Sequence, residues 1–386
     1  MTHEVQVPFA DVPGTFAPIR PELDAAIAEI LDTGRLVQGR WVSELETSFA
    51  AYLETEAAVA VSSGTSALEL CLRALDVGPG DEVITTAMTF IATAEAICTA
   101  GATPVLADVD PRTLQIDPEH VRSLVGPRTV GILPVHLFGA PSPMDELLEI
   151  ADAADLWVVE DAAQAHGALY RGRRAGSLGV ASCFSFYPGK NLGAAGEGGM
   201  VATGDPSLAE RVRMLRDHGS VVKYQHTEIG YNARMSEIEA ASVALKLPLL
   251  DAANDRRRGA ATRYAAALQG LPLEVPGVVE GGTSVHHLYV VQCAERESLR
   301  AHLDTHGVQS GLHYPLALHQ QPALRHLETG ALPHAARAAA SVVSLPMFAG
   351  ITDDQVDRVA DALRTFFERS SAAAARSTDP ARALAG

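Results

Sequence analysis

The sequence predicts an α/β protein: a mainly parallel sheet covered by helices on both faces, followed by a smaller α/β domain. Three observations predict it. Between residues 57 and 205, short apolar runs alternate with amphipathic segments of helical spacing. Those runs are apolar at nearly every position, as in strands buried on both sides. Beyond residue 271 the pattern changes to short strands and two helices. With 47% hydrophobic and 20% charged residues, the 386-residue chain can bury a substantial core.

The elements follow in order. An extended arm, residues 1–20, precedes the helical segments PELDAAIAEILDTG, closed by a glycine, and VSELETSFAAYL. AAVAVSS is a strand and SALELCLRALD a helix; DEVITT is a strand and FIATAEAICTAG a helix. PVLADVD, TVGILPVHLFG, LWVVEDAA, CFSFYP and GGMVAT supply further strands, with PEHVRSLV and PMDELLEIADAAD as helices between them. PSLAERVRMLRDHG and most of residues 235–270 read as helix. HHLYVVQCA, ESLRAHLDTHG and TDDQVDRVADALRTFFER form the smaller domain. The expected division is an arm (1–20), a large domain (21–250), a small domain (251–370) and a low-complexity mobile tail (371–386). In open parallel sheets ligands bind beyond the carboxyl ends of the strands.

Composition excludes several functions. A formal charge of −17 argues against a general nucleic-acid binder. No apolar run reaches the roughly 18 residues of a membrane span, and the N-terminus lacks the pattern of a signal peptide. The four scattered cysteines fit reduced core thiols of a cytoplasmic protein. Only three of the 30 basic residues are lysine: Lys190, Lys223 and Lys246. Arginine replaces lysine at most solvated sites, but not where a primary amine does covalent chemistry. Lys223 lies in a polar loop, and Lys246 reads as a solvated position on an amphipathic helix. Lys190 sits among Phe, Tyr, Pro and Gly, where an apolar pocket lowers an amine's pKa.

Three segments carry chemistry. Ser62-Ser63-Gly64-Thr65-Ser66 joins a strand to a helix N-terminus, which makes either a simple N-cap or a phosphate cradle. Asp161 ends an apolar strand, where a carboxylate needs a partner: a helix N-terminus, an arginine or a protonated ring nitrogen. Gly189-Lys190 is no P-loop, because Phe184 occupies the required glycine position and Asn191 replaces the magnesium-binding hydroxyl. Together, a phosphate site, a carboxylate and an amine describe the needs of pyridoxal 5′-phosphate (PLP). Metal is not expected: His302 and His306 lie one helical turn apart without a third ligand. His286-His287 reads as cleft wall or core.

From about Pro8 to about Phe367 the chain resembles the DegT/DnrJ/StrS family of PLP-dependent nucleotide-sugar aminotransferases. The resemblance rests on SSGTSAL, TFIATA, PVHLFG, VVEDAAQAHGA, FSFYPGKNLGAAGEGG, RDHG, GYNARMSEIEAA, HYPLALHQQPAL and SLPMFAGIT. It implies the fold-type-I transferase fold, with a seven-stranded sheet. It implies that Lys190 forms the Schiff base with the cofactor and then moves the proton, and that Asp161 pairs with the pyridine nitrogen. Gln164 would contact the ring hydroxyl and Phe90 would stack on the ring. Gly64, Thr65 and Ser185 would hold the phosphate, joined by Asn232 from a second subunit, so a homodimer is implied. Arg234, His313, Tyr314 and Tyr187 match substrate-contacting positions. Ser66, where relatives often carry Asp, and Glu197, where they often have GDGG, depart from the pattern beside the site. A dehydratase branch has His at the lysine position; Lys190 therefore implies transamination. The KNLG and HYP segments resemble members that aminate a 3-keto-6-deoxyhexose linked to dTDP, with L-glutamate as donor and PLP cycling through its amine form, PMP. Other members act on 4-keto-sugar nucleotides or keto-cyclitols, and a non-catalytic PLP-binding regulator is the reading from a different class.

Overall fold

The structure, a computed structural model, describes residues 6–377. Helices α1 (Val12–Phe16), α2 (Arg20–Thr33) and α3 (Arg40–Leu53) precede strand β1 (Ala57–Val61). Then come α4 (Gly64–Ala74), β2 (Glu82–Thr86), α5 (Ile91–Thr99), β3 (Thr103–Ala107), α6 (Pro118–Leu124), β4 (Thr129–Leu133), α7 (Met144–Ala154) and β5 (Trp157–Asp161). Two short strands, β6 (Leu169–Tyr170) and β7 (Arg173–Arg174), lead to β8 (Ala181–Ser185) and β9 (Gly199–Thr203). Helix α8 (Pro206–Arg216), the hairpin β10 (Ser220–Val222) and β11 (Gln225–His226), α9 (Glu237–Lys246) and α10 (Leu250–Ala267) follow. The remainder holds β12 (Gly282–Thr283), β13 (Tyr289–Gln292), α11 (Arg296–Thr305), α12 (Pro333–Ser341), β14 (Val342–Leu345) and α13 (Asp353–Ser377).

Seven strands form the main sheet in the order β1-β9-β8-β5-β4-β2-β3. Only β9 runs against its neighbours. The apolar runs have a direct cause. Along β1, Val59 and Val61 pack under α4 and α8, while Ala58 and Ala60 pack under α3 and α9. All four are buried, so neither face tolerates polarity. On the other flank of the sheet, Ile84 and Ile132 meet Val121 of α6 and Leu147 of α7. The sheet is thus a seven-stranded layer between helices, as the sequence implied. Its register matters for the site. Val61 and Ser185 both pair with Gly199, and Asp161 pairs with Cys183. The carboxyl ends of β1, β8 and β5 therefore lie side by side.

The smaller core gathers α10, α11, α13, β13 and β14, with Tyr264 stacked 4.7 Å from Tyr289. Several expectations need correction. The C-terminal part has a third helix, α12, beyond the two expected. Residues 235–270 form two helices, broken by a 3-10 turn at Leu247–Leu249 that contains Pro248. Strand β4 stops at Leu133, before Pro134, and the rest of TVGILPVHLFG is a turn. The start of α10 packs on the large core through Leu250, and its later turns pack on the small one through Ala260, Ala261 and Tyr264. Helix α10 therefore contributes to both cores. Helix α13 continues to Ser377, past residue 370, through an alanine-rich stretch of high helix propensity. Residues 378–386 of the expected tail lie outside the described residues. Of the arm, residues 1–5 lie outside the described residues; Val7 bridges to Val308 and is fully buried.

Candidate active site

Asp161 is the last residue of β5 and only 5% exposed. Its Oδ2 accepts from the Thr93 hydroxyl at 2.9 Å and its Oδ1 from the Ala163 N–H at 3.2 Å. Burial raises its pKa, and these two donors only partly offset the shift. Among the described residues no salt bridge pairs it, and the Lys190 charge offsets its burial only in part. Its neighbour Glu160 points the other way, as strand alternation requires. Glu160 is buried against His136 and accepts from the N–H groups of Gly176, Leu178 and Gly179. The Ser142 N–H donates to Nδ1 of His136, so the ring proton sits on Nε2 and points at Glu160. Glu160 is structural; Asp161 is the free one of the two.

Lys190 follows β8 in the tight turn Tyr187–Lys190, closed by the Lys190 N–H donating to the Tyr187 carbonyl. Burial brings its amine down to about 8, with the Asp161 charge pulling in the opposite direction. Beside it, Asn191 donates to the Asn254 side chain at 2.9 Å and to the Val285 carbonyl at 3.1 Å. Its remaining oxygen must therefore accept from Nδ1 of His287, 3.2 Å away. Asn254 in turn donates to the backbone carbonyl of His166.

The helix N-terminus after β1 is built for close approach. Ser63 caps α4 by accepting from the Ser66 N–H, and Ser66 also contacts the Ser62 hydroxyl. The N–H groups of Gly64 and Thr65 belong to the first turn, which has no acceptors within the helix. A Cβ on Gly64 would stand 2.6 Å from Cβ of Ser185, so only glycine lets the cradle meet the end of β8.

Gln164 bridges two elements. Its Oε1 accepts from the Phe138 N–H at 2.6 Å and its Nε2 donates to the Tyr314 hydroxyl at 3.0 Å. Tyr314 lies with its ring centroid 5.6 Å from that of Phe90, which caps α5 and is 53% exposed. His313 stacks on Phe9 and is held by the Ser344 hydroxyl, and burial lowers its pKa to about 4. Tyr187 is exposed. Arg234 lies two residues past Asn232 and contacts its side chain. Its guanidinium binds Asp217 and the Asn232 side chain, and among the described residues no hydrogen bond or ring contact joins it to His313 or Tyr314.

The residues fit PLP on structural grounds. An uncompensated buried carboxylate suits a protonated ring nitrogen, an open helix N-terminus beside Ser185 suits a phosphate, and a desolvated amine suits an aldehyde. Sequence reasoning missed Thr93, although it lies within TFIATA, and it missed Asn191, Asn254 and His166. His166 is 1% exposed between Phe184 and Phe186, and burial, with the nearby Lys190 charge, lowers its pKa to about 3. Lys246 is corrected outright. It is 6% exposed, not solvated, and burial brings its amine down to about 7. The His302 and His306 rings lie 4.1 Å apart. No cluster of three metal-ligating side chains occurs among the described residues, and no described helix is long and apolar enough to cross a membrane.

Fold and site define a PLP-dependent transferase with its lysine at the carboxyl edge of a mainly parallel sheet. The chain belongs to the DegT/DnrJ/EryC1/StrS aminotransferase family, whose match covers residues 18–364. It is an aminotransferase that uses PLP. It is 46% identical to the dTDP-3-amino-3,4,6-trideoxy-alpha-D-glucose transaminase of Streptomyces venezuelae, over 94% of this chain and 97% of the relative. The crystal structure of S. venezuelae DesV in complex with a ketimine intermediate superposes with a TM-score of 0.91, at 46% identity, covering 93% and 98% of the two chains. Bacillus subtilis NtdA with bound cofactor PMP superposes with a TM-score of 0.87 at 30% identity, covering 95% and 87%.

Proposed function

We propose that this aminotransferase moves the amino group of L-glutamate onto the ketone carbon of a nucleotide-linked keto-sugar, C3 of a dTDP-3-keto-6-deoxyhexose, in amino-sugar biosynthesis. The observation that carries the reading is the meeting of Asp161, Lys190 and the α4 N-terminus at one sheet edge. The similarity to a transaminase named for a 3-amino dTDP-sugar supports the choice of acceptor. Bound there, PLP supplies an electron sink next to the carbon that exchanges the amino group.

The chain's own residues supply the rest. Asp161 holds a proton on the ring nitrogen, and Thr93 and Ala163 fix its orientation. The α4 N-terminus at Gly64 and Thr65, with Ser185, takes the phosphate. Gln164, tied to Phe138 and Tyr314, meets the ring hydroxyl, and Phe90 covers a ring face. Lys190, lowered by burial, is partly neutral near pH 7.5 and can accept the substrate proton. Arg234, His313, Tyr314 and Tyr187 are proposed to meet substrate. Asn232 is proposed to act across a homodimer. The exposed Val221, Val222, Tyr224 and Ile229 around its hairpin supply apolar surface for a partner.

The test loads the protein with PMP and offers dTDP- and UDP-keto-sugars, 3-keto and 4-keto, together with keto-inositols. Return of the visible absorption of the lysine-bound cofactor with the dTDP-3-keto-6-deoxyhexose is the expected result. Return only with a keto-inositol or a 4-keto-sugar would assign the acceptor elsewhere, and no return with any keto compound would point to a binding role without turnover. For the shared site, mixing Asn232→Ala and Lys190→Ala protomers should restore about a quarter to a half of the activity of the native homodimer, as the fraction of mixed dimers allows. A strictly monomeric species by sedimentation would exclude it.

A further inference from the structure

The loop after Lys190 lies along one face of α9. Three α9 residues at helical spacing, Glu239, Ser242 and Lys246, meet it in turn. Gly196 leaves no room for a Cβ, which would stand 2.7 Å from Oε1 of Glu239. The Ala195 N–H donates to the Ser242 hydroxyl at 2.9 Å, and that hydroxyl donates to the Glu239 carbonyl at 2.7 Å. The Lys246 amine donates to the Gly193 carbonyl at 2.9 Å. Its second bond runs to the Thr15 hydroxyl of α1, also 2.9 Å, and the amine sits 3.2 Å from the centroid of the Phe16 ring. No carboxylate pairs with it among the described residues.

We propose that Lys246 is a positioning residue for Lys190, its buried amine clamping the Gly193 carbonyl of the catalytic loop between α9 and the N-terminal segment. Burial of an amine without a carboxylate partner is costly, and two hydrogen bonds and the Phe16 ring offset that cost only in part. Here both hydrogen bonds go to groups far off in sequence, one of them in the loop that begins with the reactive lysine. The loop has little slack: a Cβ on Gly193 would stand 2.4 Å from the Pro188 carbonyl oxygen. Fixing Gly193 therefore fixes Pro188 and, through the closed turn, the backbone of Lys190. An amine keeps two N–H groups even when neutral, so both bonds survive its deprotonation. The inference rests on Lys190 carrying the cofactor but makes its own prediction for the cofactor-free protein.

The test compares wild type, Lys246→Met and Lys246→Gln. In cofactor-free protein, hydrogen–deuterium exchange of peptides spanning residues 187–196 should quicken about tenfold or more in Lys246→Met. The strand β8 and helix α4 should exchange as before, with Lys246→Gln in between. With PLP bound, the pH midpoint of the visible absorption band should move by about half a unit or more. Unchanged loop exchange in a folded Lys246→Met protein would overturn the proposal. So would exchange that rises throughout the chain in parallel with a lowered melting temperature, or failure of both variants to fold, since the lysine would then support the fold as a whole. Borohydride labelling of the Lys190 peptide in wild type tests the cofactor assignment separately from the clamp.

Discussion

At the scale of single residues, the proposed roles of Asp161 and Lys190 rest on opposite effects of one environment. Burial raises the carboxyl and lowers the amine. Asp161→Asn keeps the shape but not the charge that retains a ring proton. It should still bind PLP while slowing the half-reaction with glutamate on the order of 10²-fold; unchanged single-turnover rates would refute the role. For Lys190 the free amine is the reactive form. The rate of PLP capture by the cofactor-free protein should rise with pH and level off around a midpoint of about 8. A midpoint near the ordinary 10.5 would mean that the pocket does not desolvate it. Lys190 stands out in the sequence as one of three lysines, set among apolar residues, whereas Asp161 alone fits a helix cap or an arginine pair as well as a ring nitrogen, and only the family resemblance joins the two. Lys246 was not legible. Its partners lie 53 and 231 residues away, and local spacing says only that it is on a helix.

At the scale of elements, α9 connects two parts of the molecule. Its C-terminal end holds the lysine loop, and Glu237 at its N-terminal end caps α3. The Glu237 carboxylate accepts from the N–H groups of Gly39, Trp41 and Val42 at 2.8, 2.8 and 3.0 Å. A buried negative group at a helix N-terminus satisfies orphan donors and favours the helix dipole. Glu237→Ala should destabilise the protein by roughly 2 kcal/mol in urea titrations, and Glu237→Gln by less. Equal loss in both would mean that packing alone matters. The strands of the main sheet could be read from the sequence because burial on both faces makes their pattern continuous. Helix α12 escaped because PHAARAAAS buries small alanines, which give little contrast between its faces. The break between α9 and α10 was hidden because LPLL remains apolar across the turn.

At the scale of the whole molecule, buried neutral histidines make folding sensitive to acid. His166 is lowered to about 3, and His286 and His313 to about 4. In the unfolded chain they titrate near 6.5. Between roughly pH 4 and 6.5 the unfolded chain binds more protons, so stability rises with pH there and is lost as pH falls. The loss should reach a few kcal/mol, measured as urea midpoints at pH 7, 5.5 and 4.5. His166→Phe should flatten part of this slope, since a phenyl ring between Phe184 and Phe186 does not titrate. The same slope in the variant would shift the cause to other groups. Fold class and sheet location followed from the sequence because they depend on pattern. The proposed cofactor and substrate contacts depend on residues from separate segments, such as Gln164 with Tyr314, whose meeting only the tertiary structure supplies.

The N-terminal segment has one more consequence, for the order in which the chain is made. Residues 6–9 bond to Gly307 and Gln309, and Thr15 to Lys246. This segment therefore leaves the ribosome long before Lys246 and Gly307 are made. At about 5–20 residues per second the delay for the Gly307 contacts is roughly 15–60 s. Nascent chains arrested before residue 307 should lose this segment to protease while their main sheet resists, and completed chains should keep it.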